Sequence, residues 1–216
     1  MTFLVSPWPG GNWWAWALVG CMWLVAARQV WRFGWLRQPV AQHLLLGCAL
    51  GCAVLWRLSH DVQDVVAVHF LGVTAAWLML GEALAVLAFG LAQSGMALLG
   101  LVSWDVVPFN LLLLSMALIP PALMRGWLAH QKWTNPLLFI LFNGFLGSML
   151  GLLLVAAIVL ATGAGSGLLS SETLDILPQY AVLLAFGEGF VNGTLASALV
   201  VFFPRLLFSM RGLDEL

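Results

Sequence analysis

Apolar residues along this chain come in blocks about as long as a bilayer is thick, separated by short polar breaks. That pattern predicts a bundle of membrane-spanning helices. The blocks fall at about 12–27, 43–56, 65–80, 82–102, 106–124, 136–162 and 179–203. In lipid, such a block satisfies its own backbone hydrogen bonds only as a helix. Unbroken runs such as LLFILFNGFLGSMLGLLLVAAIVLA, residues 137–161, show none of the short alternating segments of a membrane β-barrel.

Charge sets the topology. Lys and Arg gather in cytoplasmic loops. Arg28, Arg32 and Arg37 follow the first block, Arg125 and Lys132 sit together with His130, and Arg205 and Arg211 follow the last. All three regions are placed inside, which leaves Arg57, Asp61, Asp64, Asp105, Glu172 and Asp175 outside. An odd number of crossings must then join residues 57–64 to residues 125–132. One crossing cannot use so long a stretch, and three can if Gly81 is a tight turn. The expected fold is all-α: a polytopic membrane helix bundle of about seven transmembrane helices, N-terminus outside and C-terminus inside. A single transmembrane domain, 1–216, is expected. It has an irregular outer segment at 1–11, where two prolines and two glycines fall, a bundle at 12–203 and a cytoplasmic tail at 204–216. No basic region precedes the first apolar stretch, so no cleavable signal peptide is read. Trp8, Trp13, Trp56 and Trp104 are assigned to the outer interfacial belt, and Trp31, Trp35, Trp127 and Trp133 to the inner one.

Composition agrees. With 62% hydrophobic and 8% charged residues, the chain cannot cover a water-facing surface. A net charge of −1 excludes a polybasic nucleic-acid surface. The three cysteines, Cys21, Cys48 and Cys52, make no disulfide framework. Cys48 and Cys52 share a helical face and read as small buried hydrophobes, with a metal-binding thiolate pair as the alternative. No Walker, GxSxG or HExxH motif occurs, so ATP hydrolysis and hydrolase chemistry are not expected of this chain.

Polar groups inside a membrane mark function by default. His69 is expected one turn inside the outer end of the third helix. His60, Asp61 and Asp64 precede it in a His-Asp-x-x-Asp-x4-His stretch, a donor set that suits zinc, nickel or cobalt. The alternatives are a solvated loop for the first three and a bundle histidine for His69. Glu188 and Asn192, four apart on one face of the last helix, either border a substrate cavity or hydrogen-bond a neighbouring helix. Asn110 is a candidate cavity residue near the outer end of its helix. Glu82 reads as an interfacial carboxylate, and Pro120-Pro121 as a kink or stop. The pairs Gly47/Gly51, Gly147/Gly151 and Gly189/Gly193 read as packing faces.

The run HFLGVTAAWLMLG from His69, Asn110 in PFNLLLLSMALIPP and the C-terminal AFGEGFVNGTLASALVVFFP together resemble the CbiM/NikM family, in a divergent branch. These are the membrane substrate-binding subunits of energy-coupling factor ABC transporters for cobalt and nickel. The resemblance covers most of the chain from about residue 40 onward. It implies a multi-pass inner-membrane permease subunit that captures a divalent transition metal as substrate and holds no permanent cofactor. The metal is cobalt or nickel first, with zinc an alternative. The implied partners are the lipid bilayer, two cytoplasmic ATPases and a coupling membrane subunit, with no nucleic acid. His69 occupies the place of a family metal ligand. The family also uses the N-terminal amine and a histidine after the initiator methionine; here that residue is Thr2, so the ligand set changes, with His60, Asp61 or Asp64 as candidate recruits. The rival reading is an accessory protein for metalloenzyme assembly or metal delivery without transport of its own. An enzymatic role is not expected.

Overall fold

The computed structural model describes residues 1–3, 5, 13–131 and 135–207. Trp8, Lys132, Trp133, Arg211 and most of the expected N-terminal segment and C-terminal tail lie outside the described residues. Helix α1 (Trp13–Phe33) is followed by a 3-10 turn and by α2 (Pro39–Arg57), which opens on proline, a residue pre-set for a first helical turn. A small sheet comes next, then α3 (Val73–Leu98), α4 (Val107–Met116), α5 (Ile119–His130), α6 (Pro136–Phe139), a π-helical segment (Ile140–Leu146), α7 (Gly147–Gly165) and α8 (Ser171–Phe202). Among the described residues, five stretches are long and apolar enough to cross a membrane: Pro39–Arg57, Val73–Leu98, Val107–His130, Pro136–Gly165 and Ser171–Phe202. The chain is a polytopic, all-helical membrane protein in its bulk. The most enclosed of the five is α3, whose Trp77, Leu78, Leu84 and Phe89 are fully buried.

Both flanks of α3 line one cavity, His69 before it and Gly100 after it. A straight helix of 26 residues would hold its ends about 39 Å apart. The chain therefore reverses within α3, and the non-helical residue is Gly81, with φ 72° and ψ 178°. Side chains disfavour that φ, and glycine does not. The neighbours agree. A Cβ at Gly72 would meet Leu55 near the C-terminal end of α2, and Phe89, beyond the turn, also approaches that end, 6.3 Å from Trp56. Next to the turn, Glu82 pairs with Arg125 at 2.8 Å, and the Arg125 guanidinium lies 5.5 Å from the Trp77 ring. Glu82 is thus ion-paired.

Other expectations shift. Residues 65–72 are not helical. Instead Thr2–Phe3 (β1), His60–Val62 (β2) and Val66–Val68 (β3) form an antiparallel sheet in the order β1-β3-β2. Gln63 and Asp64, both at positive φ, make the tight β2–β3 turn that such values select. The Gly/Ser-rich stretch before the last block is mostly helix, because Ser170 caps the Thr173 N–H and starts α8 there. The double proline falls in the first turn of α5, and the helical path breaks just before it, where α4 ends at Met116. Gly147 and Gly151 press against Pro121 and the Ala117 carbonyl, and Gly189 and Gly193 against Met149 and Phe145. Gly47 and Gly51 face no neighbour and line an open apolar groove with Cys48 and Cys52.

Candidate metal centre

The N-terminal strand is sealed into the protein. Met1, Thr2 and Phe3 are buried. Strand β1 adds its backbone to β3, with Thr2 opposite Ala67 and Phe3 opposite Val66. From α4, the Asn110 side chain accepts from the Phe3 N–H at 2.9 Å and donates to the Phe3 carbonyl at 3.1 Å. An amide side chain carries a donor and an acceptor side by side, so it can satisfy both backbone groups of a residue at once. Asn110, 1% exposed, thus holds the strand in register.

This register sets the first residues against His69, which lies not inside a helix but in the four-residue connection between β3 and α3. The Met1 amino group lies 3.4 Å from the His69 carbonyl. The Thr2 hydroxyl lies 3.1 Å from His69 Nε2, and Nδ1 lies 2.7 Å from the Phe70 carbonyl. A carbonyl only accepts, so Nδ1 carries the hydrogen and Nε2 presents its lone pair toward Thr2. A backbone carbonyl behind one ring nitrogen is the arrangement that orients histidine metal ligands through the other.

The connection is fixed from two further sides. Trp56 Nε1 donates to the Leu71 carbonyl at 2.8 Å. From α8, the Glu188 carboxylate accepts from the Leu71 and Gly72 N–H groups, each at 2.8 Å. Asn192 accepts from the Ala75 N–H at 2.9 Å and donates to Glu188 Oε1 at 2.8 Å. A helix start leaves its first N–H groups without partners. Gly72 has no side chain to cap them, so α8 supplies the cap from across the bundle.

Burial acts on both nitrogen bases. It lowers the Met1 amine from its usual value near 8 to about 5, against the opposing pull of the Glu188 charge. It also lowers the His69 imidazole well below its usual range; the Met1 charge pushes the same way, and the Phe70 hydrogen bond opposes. At neutral pH both groups hold free lone pairs, the form in which nitrogen binds a metal.

A cavity of about 250 Å³ adjoins Thr2 and His69 and is lined also by Arg57, Ser59, Asp61 and Gln93. Asp61 therefore shares a cavity wall with His69. His60 and Asp64 are exposed on the β2–β3 hairpin. Among the described residues, no three of His, Cys, Asp and Glu are grouped to hold a metal ion. Glu188, Asn192 and Asn110 spend their polar atoms on backbone groups. Trp56, assigned to the outer belt, is instead 2% exposed under the His69 connection. Sequence reading did not single out Gln93, although a lone amide inside an otherwise apolar helix was the available signal.

These features define a multi-pass helical protein of the plasma membrane whose buried nitrogen bases meet where the first strand crosses the entry to a central helix. Over residues 3–206 the chain matches the family described as the cobalt uptake substrate-specific transmembrane region, CbiM, and it belongs to that family. No curated protein and no solved structure matches it. Membership makes the chain a membrane component of cobalt uptake, a transport task shared with other transporter components.

A pH dependence follows. A cation held by these two nitrogens would compete with protons for their lone pairs, so its binding would weaken only where those groups protonate. With the Met1 amine at about 5, cobalt affinity is expected to stay level from about pH 7.5 to 6 and to fall about tenfold per unit below pH 5. An amine at its ordinary value would already lose affinity below pH 8. Equilibrium dialysis across this range checks it.

Proposed function

We propose that this chain is the substrate-capturing subunit of an energy-coupling-factor-type uptake system for a divalent transition metal, cobalt or nickel first, with zinc an alternative. The carrying observation is the convergence of the Met1 amine, Thr2 and His69, with His69 Nδ1 tied to Phe70 and Nε2 turned toward the threonine. In this reading the whole chain is one transmembrane domain. Helix α1 and the two arms of α3 bring the crossings to seven, the sheet end faces outward and the C-terminus faces the cytoplasm. The ion enters from the sheet end and takes the Met1 amine and His69 Nε2, with Thr2 as an oxygen donor in place of the family's imidazole. Two ATPases and a coupling subunit drive its release. The Glu82–Arg125 pair then lies toward the cytoplasmic side, where a basic residue belongs. The chain performs no covalent chemistry and keeps no resident cofactor. The accessory-protein alternative has less support, because a delivery site on the exposed hairpin would need ligands gathered there.

Purified protein dialysed against cobalt is expected to bind one ion per chain. Asn110→Ala, which frees β1 without touching a proposed ligand, is expected to weaken binding about tenfold, the effect of losing roughly 1–2 kcal/mol of hydrogen bonding. Failure to retain cobalt, nickel or zinc at any accessible concentration would refute the capture role.

A further inference from the structure

The proposed site is short of donors and long on space. Met1, Thr2 and His69 supply two nitrogens and a hydroxyl, whereas a divalent first-row ion commonly takes four to six ligands. Water is the simplest supplement, but a water occupies only about 30 Å³ in the liquid, and the adjoining cavity measures about 250 Å³. Its wall is also not a plain aqueous lining. Gln93 is 2% exposed, and its Oε1 has no hydrogen-bond partner among the described residues. A buried acceptor left open is costly, of order 1–3 kcal/mol, and calls for a donor from a ligand. Arg57, exposed at the same cavity, has no ion-pair partner among the described residues and offers the fork that suits a carboxylate. Asp61 and Ser59, 3.4 Å apart, complete the polar wall.

Resting on the capture role proposed above, we propose that the cavity binds a small α-amino acid that arrives as the metal's chelator and is taken up in complex with it. The amino acid's amine and one carboxylate oxygen complete the coordination of the ion at His69. The rest of its carboxylate meets Arg57. Its metal-bound amine keeps N–H groups, which Gln93 Oε1 and Asp61 accept. Cation and chelator are recognised together, and the lost imidazole at position 2 is replaced by a ligand brought from outside.

The test turns on a sign. A chelator free in solution ordinarily competes for metal and lowers apparent affinity; one bound within the site raises it. Full-length protein in detergent is dialysed against radiolabelled cobalt, alone and with excess glycine or histidine, and against labelled amino acid with and without cobalt. The expected result is cobalt retention raised tenfold or more by at least one of the two, and amino acid retained one-to-one only when cobalt is present. Arg57→Ala and Gln93→Leu should each remove that enhancement while leaving cobalt-alone binding in place. If both amino acids lower cobalt retention and neither is itself retained, the chelator proposal is overturned. If citrate enhances and amino acids do not, the amino-acid assignment is likewise overturned. His69→Ala separates the two levels. Loss of cobalt with and without amino acid leaves the capture role standing, whereas unchanged cobalt-alone binding in that variant removes the capture role itself.

Discussion

His69→Ala is expected to raise the Kd for cobalt by about 100-fold or more while the bundle stays folded. Losing only an outer-shell partner of a metal ligand already costs roughly 10–100-fold, and here the proposed ligand itself goes. The fold survives because the groups that hold the connection in place do not run through the imidazole. Trp56 binds the Leu71 carbonyl, Glu188 binds the Leu71 and Gly72 N–H groups, and Asn110 binds Phe3. What alanine forfeits structurally is two hydrogen bonds, one to the Phe70 carbonyl and one from the Thr2 hydroxyl, and the packing against Trp56, whose ring centre lies 6.3 Å from that of the imidazole. That is about 1–3 kcal/mol, too little to unfold a bundle. Calorimetric titration with cobalt, paired with thermal unfolding in its absence, checks both halves. Unchanged affinity would end the capture reading, and collapse of the fold would show that the imidazole is structural.

Glu188→Ala is expected to do the reverse, costing stability first. It strands the N–H group of Leu71, which is buried, and that of Gly72, which is part-buried, and takes a partner from Asn192. At about 1–3 kcal/mol for each buried group left unpaired, the loss is roughly 2–6 kcal/mol. Glu188→Gln keeps one oxygen acceptor and is expected to lose about half as much. Cobalt affinity should fall in step with stability, since the helix start that Glu188 caps is three residues from His69. Unfolding titrations of the two variants against the parent protein measure this. An alanine variant as stable as the parent would show that the cap is dispensable.

The sequence made the bundle readable and left the site half visible. Apolar blocks and basic loops located the helices, because lipid forces each block to satisfy its own backbone. Gly81 was legible as a turn because a glycine beside a glutamate interrupts an otherwise apolar run. His69 and Asn110 stood out as polar groups in apolar surroundings. The sheet did not. Strands of two and three residues are too short to show a period of two, so VVAVHFLG has the pattern of the top of a helix. Nor could spacing reveal that the cap of α3 comes from Glu188, 117 residues from Leu71. Trp56 was misplaced for a related reason. An indole suits a membrane interface, but its N–H here had a buried carbonyl to satisfy, and only the folded connection shows that carbonyl.

The way β1 is held has a bearing on how this transporter class diversifies. Pairing to β3 and the Asn110 clamp on Phe3 use main-chain atoms of the first residues, so the threonine side chain adds only its single contact with His69 Nε2 to what keeps the strand in place. Position 2 is therefore a socket: its contents can be exchanged by a single codon change while the socket stays where it is. On the capture role proposed above, a lineage could in this way swap one donor atom above the histidine without rebuilding the surrounding protein.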